Sequence, residues 1–367
     1  MDYEDFKDKF IADVKDKLED AGIDTSIKVN MVNKLNESYE AMTVTPEGSN
    51  IGLNLSIDKF YDAYNDGVTF ENAVDKAVDS IMKGIDNTPS FNLSALTDYE
   101  QMKDKLITEV VSIDANKEKL ETVPHKDIED MAVVYRFVLS SDETGRSSVL
   151  VTNQMLENMG ITPEQLHNHA IENAPLINPL EIRGMSEVMA ELMGIEEAKM
   201  LGIVPMDPKD EQLFVASVPD KIHGAGILAY QDFMDKAAER AGGDFFILPS
   251  SIHELLIVPD NGRMELNELE SMVRSVNKNQ VAPQDKLTDN VYHYDSKEKI
   301  FELGEKFVER QAQKDESLTE EKAIEKEEKE IRKASVLSDL KAKKEEVAKA
   351  PKKEHIEKGT KSRGAEL

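Results

Sequence analysis

The sequence predicts an α+β fold of mixed helices and antiparallel strands, followed by a charged C-terminal tail that is helical or disordered. Segments with the spacing of amphipathic helices alternate with short β-rich segments, without the regular strand–helix–strand order of a parallel sheet. After Leu303 the composition changes to Lys, Glu and Ala with few apolar residues. We therefore expect an acidic body at residues 1–303, with a sub-boundary near residues 120–130, and a separate Lys/Glu-rich tail at residues 304–367.

Helical spacing and turn residues predict the elements of the first half. An amphipathic helix is predicted over residues 2–20 and is ended by Gly22. Helical periodicity returns at residues 70–85 and again at residues 102–110, where Asp98 is the predicted cap. Between the first two helices, alternating segments broken by turn residues predict a small antiparallel sheet: residues 27–32, 39–45 and 51–57.

A hairpin and a strong helix start stand out in the second half. The β-rich runs at residues 133–139 and 147–152 flank a turn-forming segment and predict the hairpin. Thr162, Pro163 and Gln165 form a capping box with proline at the first helical position, so a helix should begin there and run to about residue 173. The remaining predicted elements are helices at residues 186–193, 231–241 and 264–277, a β-rich stretch at 245–258, a tail helix at 320–333, and a disordered end at 359–367.

The charge of the chain limits the partners it can have. The formal net charge is −28, and the body alone, with 28 basic and 57 acidic residues, carries −29, whereas the tail is balanced at +1. A body of this charge repels nucleic acid and anionic membrane, so we expect neither direct nucleic-acid binding nor a membrane association. The chain has no Cys, which excludes disulfides and thiolate chemistry and suits the cytoplasm. We expect no cofactor.

The segment at residues 250–254 is the densest in reactive side chains. It contains Ser250, Ser251, His253 and Glu254 between apolar, strand-like runs. One hypothesis is that a serine acts as nucleophile with His253 as its base. The alternatives are a ligand or partner contact and a structural turn whose polar side chains bond the backbone.

Tyr292 and His293 complete the set of candidate residues. If they line one cavity with Ser250 and His253, a binding or catalytic site is favoured. If they are dispersed, a structural role is favoured.

Three other patterns are weaker. His167 and His169 lie about 200° apart on a helix and so face different sides, which leaves too few ligands on one side, and we predict no metal site. The pair of glycines at Gly224 and Gly226 lacks the third glycine and the basic residue of a phosphate-binding loop, so nucleotide binding is not expected. Three methionines at four-residue spacing predict a core face more readily than a partner groove: Met185, Met189 and Met193.

Four stretches resemble an uncharacterised family, the domain of unknown function number fifty-six eighty-eight. They are residues 151–160, 173–175, 244–254 and 287–294, and the resemblance covers roughly residues 1–303. It implies an origin in gut anaerobic bacteria and an occurrence on their mobile elements. The family has no established activity, so the resemblance implies no catalytic role for any residue.

The function is left open between three hypotheses. The first is a non-enzymatic cytoplasmic protein that binds an unknown protein partner. It is favoured because reactive residues are few and scattered. The second is a hydrolase-like enzyme that uses residues 250–254. The third is an acidic mimic of nucleic acid that occupies the basic site of another protein.

Overall fold

The computed structural model describes residues 1–49, 52–86, 96–142, 145–207, 209–249 and 251–349. The chain forms two compact units, Met1–Gly304 and Glu305–Leu367. The helices within the described ranges are α1 (Tyr3–Asp20), α2 (Ile57–Asn65), α3 (Phe70–Asp86), α4 (Tyr99–Met102), α5 (Lys117–Leu120), α6 (Asn153–Met159), α7 (Pro163–Ile177), α8 (Met185–Met193), α9 (Ile195–Met200), α10 (Phe233–Ala241), α11 (Leu266–Asn279) and α12 (Gly304–Lys349).

The strands form three antiparallel sheets, which confirms the α+β class. They are β1 (Thr25–Lys34), β2 (Glu37–Pro46), β3 (Leu53–Ser56), β4 (Leu106–Ser112), β5 (Lys126–Ile128), β6 (Met131–Asp142), β7 (Gly145–Leu150), β8 (Glu181–Gly184), β9 (Phe214–Ser217), β10 (Phe245–Leu248), β11 (Leu255–Pro259), β12 (Tyr292–Asp295) and β13 (Ile300–Leu303). The first sheet has the order β1-β2-β3 and the largest has the order β13-β12-β10-β11-β9-β8. In the third, β6 pairs with β4, β5 and β7.

The N-terminal sheet and three helices enclose a core of their own. α1 buries Phe6, Phe10, Val14 and Leu18, which recur every four residues and so lie on one face of the helix. This face packs with apolar residues of β2, β3 and α3. The predicted helix at residues 2–20 and the predicted three-stranded sheet are thus confirmed, except that Ile57 begins α2 and residue 51 lies outside the described residues.

The helix predicted over residues 102–110 is wrong beyond its first turn. Asp98 does cap α4, accepting a hydrogen bond from Glu100 N at 3.1 Å, but α4 ends at Met102. Leu106–Ser112 then form β4, whose first six residues are all buried. A strand that is buried on both faces has no alternation of polar and apolar residues, and here its apolar residues also match a helical spacing.

The largest core lies between the third sheet, the six-stranded sheet and the helices α6, α7 and α10. The predicted hairpin is confirmed as β6 and β7, although residues 143 and 144 of its turn lie outside the described residues. The capping box of α7 is present, with Gln165 N donating to Thr162 Oγ1 at 3.2 Å and Thr162 N donating to Gln165 Oε1 at 3.0 Å. The predicted helices at residues 186–193, 231–241 and 264–277 are confirmed as α8, α10 and α11, and the predicted β-rich stretch at 245–258 contains β10 and β11. The sequence interpretation omitted the short helices α5, α6 and α9 and the short strands β5, β8, β9, β12 and β13.

The second unit contains most of α12, a single helix of 46 residues that would measure about 69 Å at 1.5 Å per residue. Its apolar residues, among them Leu318, Ile324 and Ile331, are exposed. The predicted helix at residues 320–333 lies within it, whereas residues 350–367, including the predicted disordered end, lie outside the described residues. None of the described helices is long and apolar enough to cross a membrane.

Candidate functional site

The segment at residues 250–254 connects β10 to β11. Ser250 lies outside the described residues. Ser251 forms an isolated bridge with Lys286, and its Oγ accepts a hydrogen bond from His253 N at 2.9 Å. The backbone carbonyl of His253 in turn accepts from Ser217 Oγ at 2.7 Å. Glu254 is half-buried. These contacts are those of a turn stabilised by side-chain hydrogen bonds.

Tyr292 and His293 are consecutive in β12 and so point to opposite faces of the six-stranded sheet. The Tyr292 hydroxyl donates to Asp130, a carboxylate that also accepts from Thr288 Oγ1 at 3.0 Å and Asn290 Nδ2 at 2.9 Å. Burial and this contact with a carboxylate raise the pKa of Tyr292. On the other face, His293 Nε2 lies 3.1 Å from Asp260 Oδ2 and the His293 ring meets Phe246 edge-on.

The structure therefore disperses the sequence-predicted residues over different environments. His253 Nε2 lies 3.4 Å from Asp285 Oδ1, whereas Tyr292 contacts Asp130 and His293 contacts Asp260. It does bring His253 close to another imidazole, since the ring centroids of His223 and His253 are 6.2 Å apart. His223 leads to a cluster of charged side chains that the sequence interpretation did not include.

Glu109 is the centre of this cluster. It lies on β4 with a side chain that is only 1% exposed, and Arg136 on β6 is its diagonal neighbour on the same face of the sheet. Arg136 Nε donates to Glu109 Oε2, and His223 Nδ1 lies 2.8 Å from Glu109 Oε1. Both carboxylate oxygens thus face a cationic or hydrogen-bonding partner, as a buried carboxylate requires.

These contacts keep Glu109 ionised. Burial acts to raise its pKa, but the hydrogen bond from His223 and the positive charge of Arg136 together lower the pKa from 4.5 to about 2. Because Nδ1 of His223 faces Glu109, Nε2 is the ring nitrogen that remains for another group. This arrangement of a carboxylate and an imidazole is suited to proton transfer at Nε2.

Two glycines allow the loop carrying His223 to approach so closely. A Cβ atom at Gly224 would lie 2.1 Å from His253 O and 2.1 Å from Ser217 Oγ, and one at Gly226 would lie 2.3 Å from Thr108 O. Any larger residue would push the loop away from β4 and from the turn at His253. His223 itself has φ 55, a conformation that is rare for residues other than glycine and that is often found at functional sites. The two glycines thus serve close packing.

The cluster opens into a cavity of about 350 Å³, called the Glu109 pocket below. Its wall is completed by the β1–β2 turn, by α5 and by the residues before Lys286, and it is lined by Asn33, Lys34, Leu35, Asn36, Glu37, Glu109, Lys119, Arg136, Leu150, His223, Ile252, Gln284 and Asp285. A second cavity of about 500 Å³ shares Asn33, Lys34, Asn36, Glu37 and Lys119 with it. Polar groups that converge on a cavity of this size are typical of a small-molecule site.

A family model describes almost the whole body, matching residues 3–296. The chain belongs to DUF5688, a family of unknown function. No curated protein and no solved structure matches the chain. Every charged residue of the Glu109 pocket lies within the part that matches the DUF5688 model, whereas all of α12 lies outside it.

The other histidines of this DUF5688 member have separate partners. His167 Nδ1 lies 2.9 Å from the Tyr135 hydroxyl and His169 Nδ1 lies 2.6 Å from the Tyr99 hydroxyl, so the two imidazoles do face different sides of α7. Burial and the nearby Lys126 lower the pKa of His167. Within the part of the chain that the structure describes, no group of three or more acidic or imidazole side chains is placed to hold a metal ion.

A second exposed feature of the body is apolar. The core role predicted for the methionines of α8 is wrong for Met189, which is 38% exposed, because α8 buries Ser186 and Ala190 instead. Exposed large apolar side chains continue through α9 and the segment after it, and we call this set the α8–α9 surface: Met189, Leu192, Ile195, Met200, Leu201, Val204 and Met206. Met206 N donates to Ser186 Oγ at 3.1 Å, which holds the end of this segment against α8.

One signal in the sequence could have found the pocket. Glu109 and Arg136 each interrupt a run of apolar, β-forming residues, in Leu-Ile-Thr-Glu-Val-Val and Val-Val-Tyr-Arg-Phe-Val. A charge in the middle of a buried strand is costly unless it is paired, so two such charges predict a buried pair. The contribution of His223 and the β1–β2 turn could not be found in this way, since it depends on contacts between distant parts of the chain.

Proposed function

We propose that this protein acts by binding another protein through the α8–α9 surface, without catalysing a reaction there. The observation that carries the proposal is the exposure of seven large apolar side chains between residues 189 and 206, with Leu192 73% and Met200 88% exposed. Contiguous exposed apolar side chains on a highly charged protein are typical of an interaction site. The flexible side chains of methionine suit such a site because they adapt to a partner's shape.

The chemistry of the partner follows from charge. The helices α8 and α9 carry four glutamates and one lysine. Arg183 pairs with Glu187 and Glu191, and Lys199 pairs with Glu196. The acidity of this face therefore comes mainly from the body as a whole, which carries −29. An acidic surface around an apolar centre favours a basic segment that presents an apolar face, such as an amphipathic helix with lysine or arginine on its polar side. We commit to a partner of this kind.

Two other functions predict different results in binding and labelling experiments. A nucleic-acid mimic would bind a basic partner through charge alone, so its binding would collapse as salt rises. A hydrolase-like enzyme using residues 250–254 would react with a serine-directed probe, and that labelling would be reduced in at least one of Ser250→Ala, Ser251→Ala and His253→Ala. Both remain alternatives.

The proposed cytoplasmic location rests on the cysteine-free composition, and an occurrence on mobile elements of bacteria is part of the same proposal.

Fluorescence anisotropy with a labelled amphipathic peptide of leucine and lysine tests the docking surface. We expect the Leu192→Ser/Met200→Ser double variant to bind at least about tenfold more weakly, because each lost apolar contact is worth roughly 1.5 kcal/mol or more when fully buried. The matched control is Met31→Ser, which removes a methionine that is 61% exposed on β1 and should leave binding unchanged.

Three results would contradict the proposal. Unchanged binding by the double variant would remove the α8–α9 surface from the interaction. Binding that disappears at high salt in every variant would favour the mimic. Self-association of the protein that the double variant abolishes, measured by sedimentation, would show that a second copy covers this surface instead of a partner.

A further inference from the structure

We propose that the Glu109 pocket binds a small dianionic ligand of the phosphate-monoester class, held by Lys34, Lys119 and Arg136, with His223 Nε2 as its hydrogen-bonding partner. This site is separate from the α8–α9 surface and involves none of its residues. A test of this site is therefore independent of a test of the protein-binding function proposed above.

The first argument is the balance of charge around the cavity. Glu37 is already paired with Lys59, whose Nζ lies 2.7 Å from its carboxylate, and Glu109 is paired with Arg136 and His223. Within the described ranges, by contrast, Lys34 and Lys119 have no carboxylate partner. Lys34 Nζ instead lies 5.4 Å from the centre of the Tyr39 ring, a contact that leaves its charge available.

The second argument concerns the donors that Arg136 retains. Its Nε is used by Glu109, and its Nη1 lies at the long distance of 3.5 Å from Ser148 Oγ. An arginine has five N–H donors in a planar fork, so N–H groups remain for a ligand in the cavity that this residue lines. Lys34 and Lys119 add two positive charges that no carboxylate of the described residues neutralises, and together with the remaining N–H donors of Arg136 they suit a phosphate dianion better than a carboxylate monoanion.

The third argument is that the wall of the pocket is built and held in place. Asn36, in the β1–β2 turn with φ 59, donates its backbone N–H to Asn116 Oδ1 at 2.6 Å and its side-chain amide to Gln284 O at 3.0 Å. These bonds tie the turn that carries Lys34 to α5 and to the segment that carries Asp285. A pocket whose walls are fixed before binding loses little conformational entropy when a ligand enters.

The acidic body does not prevent an anion from binding here. At physiological salt, charges beyond roughly 8 Å in solvent are largely screened, so the nearby lysines and arginine dominate over distant carboxylates. The third carboxylate on the pocket wall is Asp285, whose Oδ1 lies 3.4 Å from His253 Nε2. This pair places a second imidazole at the edge of the site.

Isothermal titration calorimetry with phenyl phosphate, and with benzoate as a matched monoanion, tests the proposal on the full chain. We expect phenyl phosphate to bind at least about tenfold more tightly than benzoate, and Lys119→Ala to weaken phenyl phosphate binding by about tenfold, as removal of a charged hydrogen-bond donor does. His223→Asn should also weaken phenyl phosphate binding, because it removes the imidazole Nε2. Asparagine is chosen because it tolerates the positive φ of this position. Lys28→Ala, an exposed lysine on the same strand as Lys34, and His125→Asn are the matched controls.

Each remaining outcome would overturn the inference. Equal affinity for the two anions would show a site without selectivity for a dianion. An equal loss in the Lys28→Ala control would show general attraction of anions to surface lysines. Absence of measurable heat with phenyl phosphate, while circular dichroism shows the native helix content in every variant, would show that the cavity does not bind this class of ligand.

Discussion

The contacts of Glu109 predict a specific dependence of stability on pH. In the folded protein its pKa is about 2, compared with 4.5 for a free glutamate. A carboxylate whose pKa is depressed by folding contributes stability that is fully present above the unfolded-state pKa and is lost as the pH falls toward the folded-state pKa. The contribution is therefore complete at pH 7 and disappears between roughly pH 5 and pH 2.

The magnitude follows from the pKa difference. At 1.36 kcal/mol for each pKa unit, a lowering from 4.5 to about 2 corresponds to roughly 3 kcal/mol at pH 7, of which about 2 kcal/mol is lost by pH 3. Glu109→Gln removes this titration and leaves Arg136 beside a neutral amide, at a cost of about 3 to 5 kcal/mol at neutral pH. The difference in unfolding free energy between wild type and variant should thus shrink by about 2 kcal/mol from pH 7 to pH 3.

Urea unfolding at a series of pH values, followed by circular dichroism, measures this difference. Glu191→Gln is the control, because Glu191 is also paired with an arginine, Arg183, but at an exposed position where solvent screens the pair. Its stability should follow the wild-type pH profile. Parallel profiles for wild type and Glu109→Gln would refute the assignment of Glu109 as an ionised, buried carboxylate held by Arg136 and His223.

Two further predictions concern packing and a buried hydrogen bond. Gly226→Ala should destabilise the protein by about 1 to 3 kcal/mol, because its Cβ would lie 2.3 Å from Thr108 O. The control Gly22→Ala, at a position with φ +77 but no neighbour within 4 Å, should cost only about 1 kcal/mol. Thermal unfolding measures both losses, and equal losses would contradict the argument from close approach. Tyr292→Phe should cost about 1.5 to 3 kcal/mol, because Asp130 loses the charge-assisted hydrogen bond from the buried Tyr292. Urea unfolding measures this cost. A stability equal to that of wild type would show that the hydrogen bonds from Thr288 and Asn290 are sufficient for Asp130.

The amphipathic helices were predictable from sequence because their information is local. α1, α3 and α7 each bury one face against the core, so the spacing of their apolar residues and the capping box at Thr162 are visible without knowledge of the rest of the fold. β4 was not predictable in the same way. Its buried residues come from contacts on both of its faces, and a run of this kind fits a helix and a strand equally well.

The short strands escaped prediction for a related reason. β8, β9, β12 and β13 have four residues each, which is too few to establish an alternating pattern. β8, β9 and β12 are defined by pairing with strands about 30 or more residues away, and β13 by pairing with β12. The same limit applies to the site. The sequence interpretation found His253 through the density of reactive residues around it. Its neighbours Glu109 and His223 come from segments thirty or more residues away and are brought together only by the fold.

The buried charges of the Glu109 pocket raise the question of why an ion pair lies within a sheet whose other strand residues are largely apolar. A buried ion pair contributes little net stability, because the cost of removing two charges from water offsets most of their attraction, and apolar residues of similar volume often serve as well. Glu109 and Arg136 occupy neighbouring positions of two strands where valine or isoleucine would pack. Their presence beside a cavity, together with a histidine at positive φ and two glycines that admit it, is therefore better explained by a binding requirement than by stability.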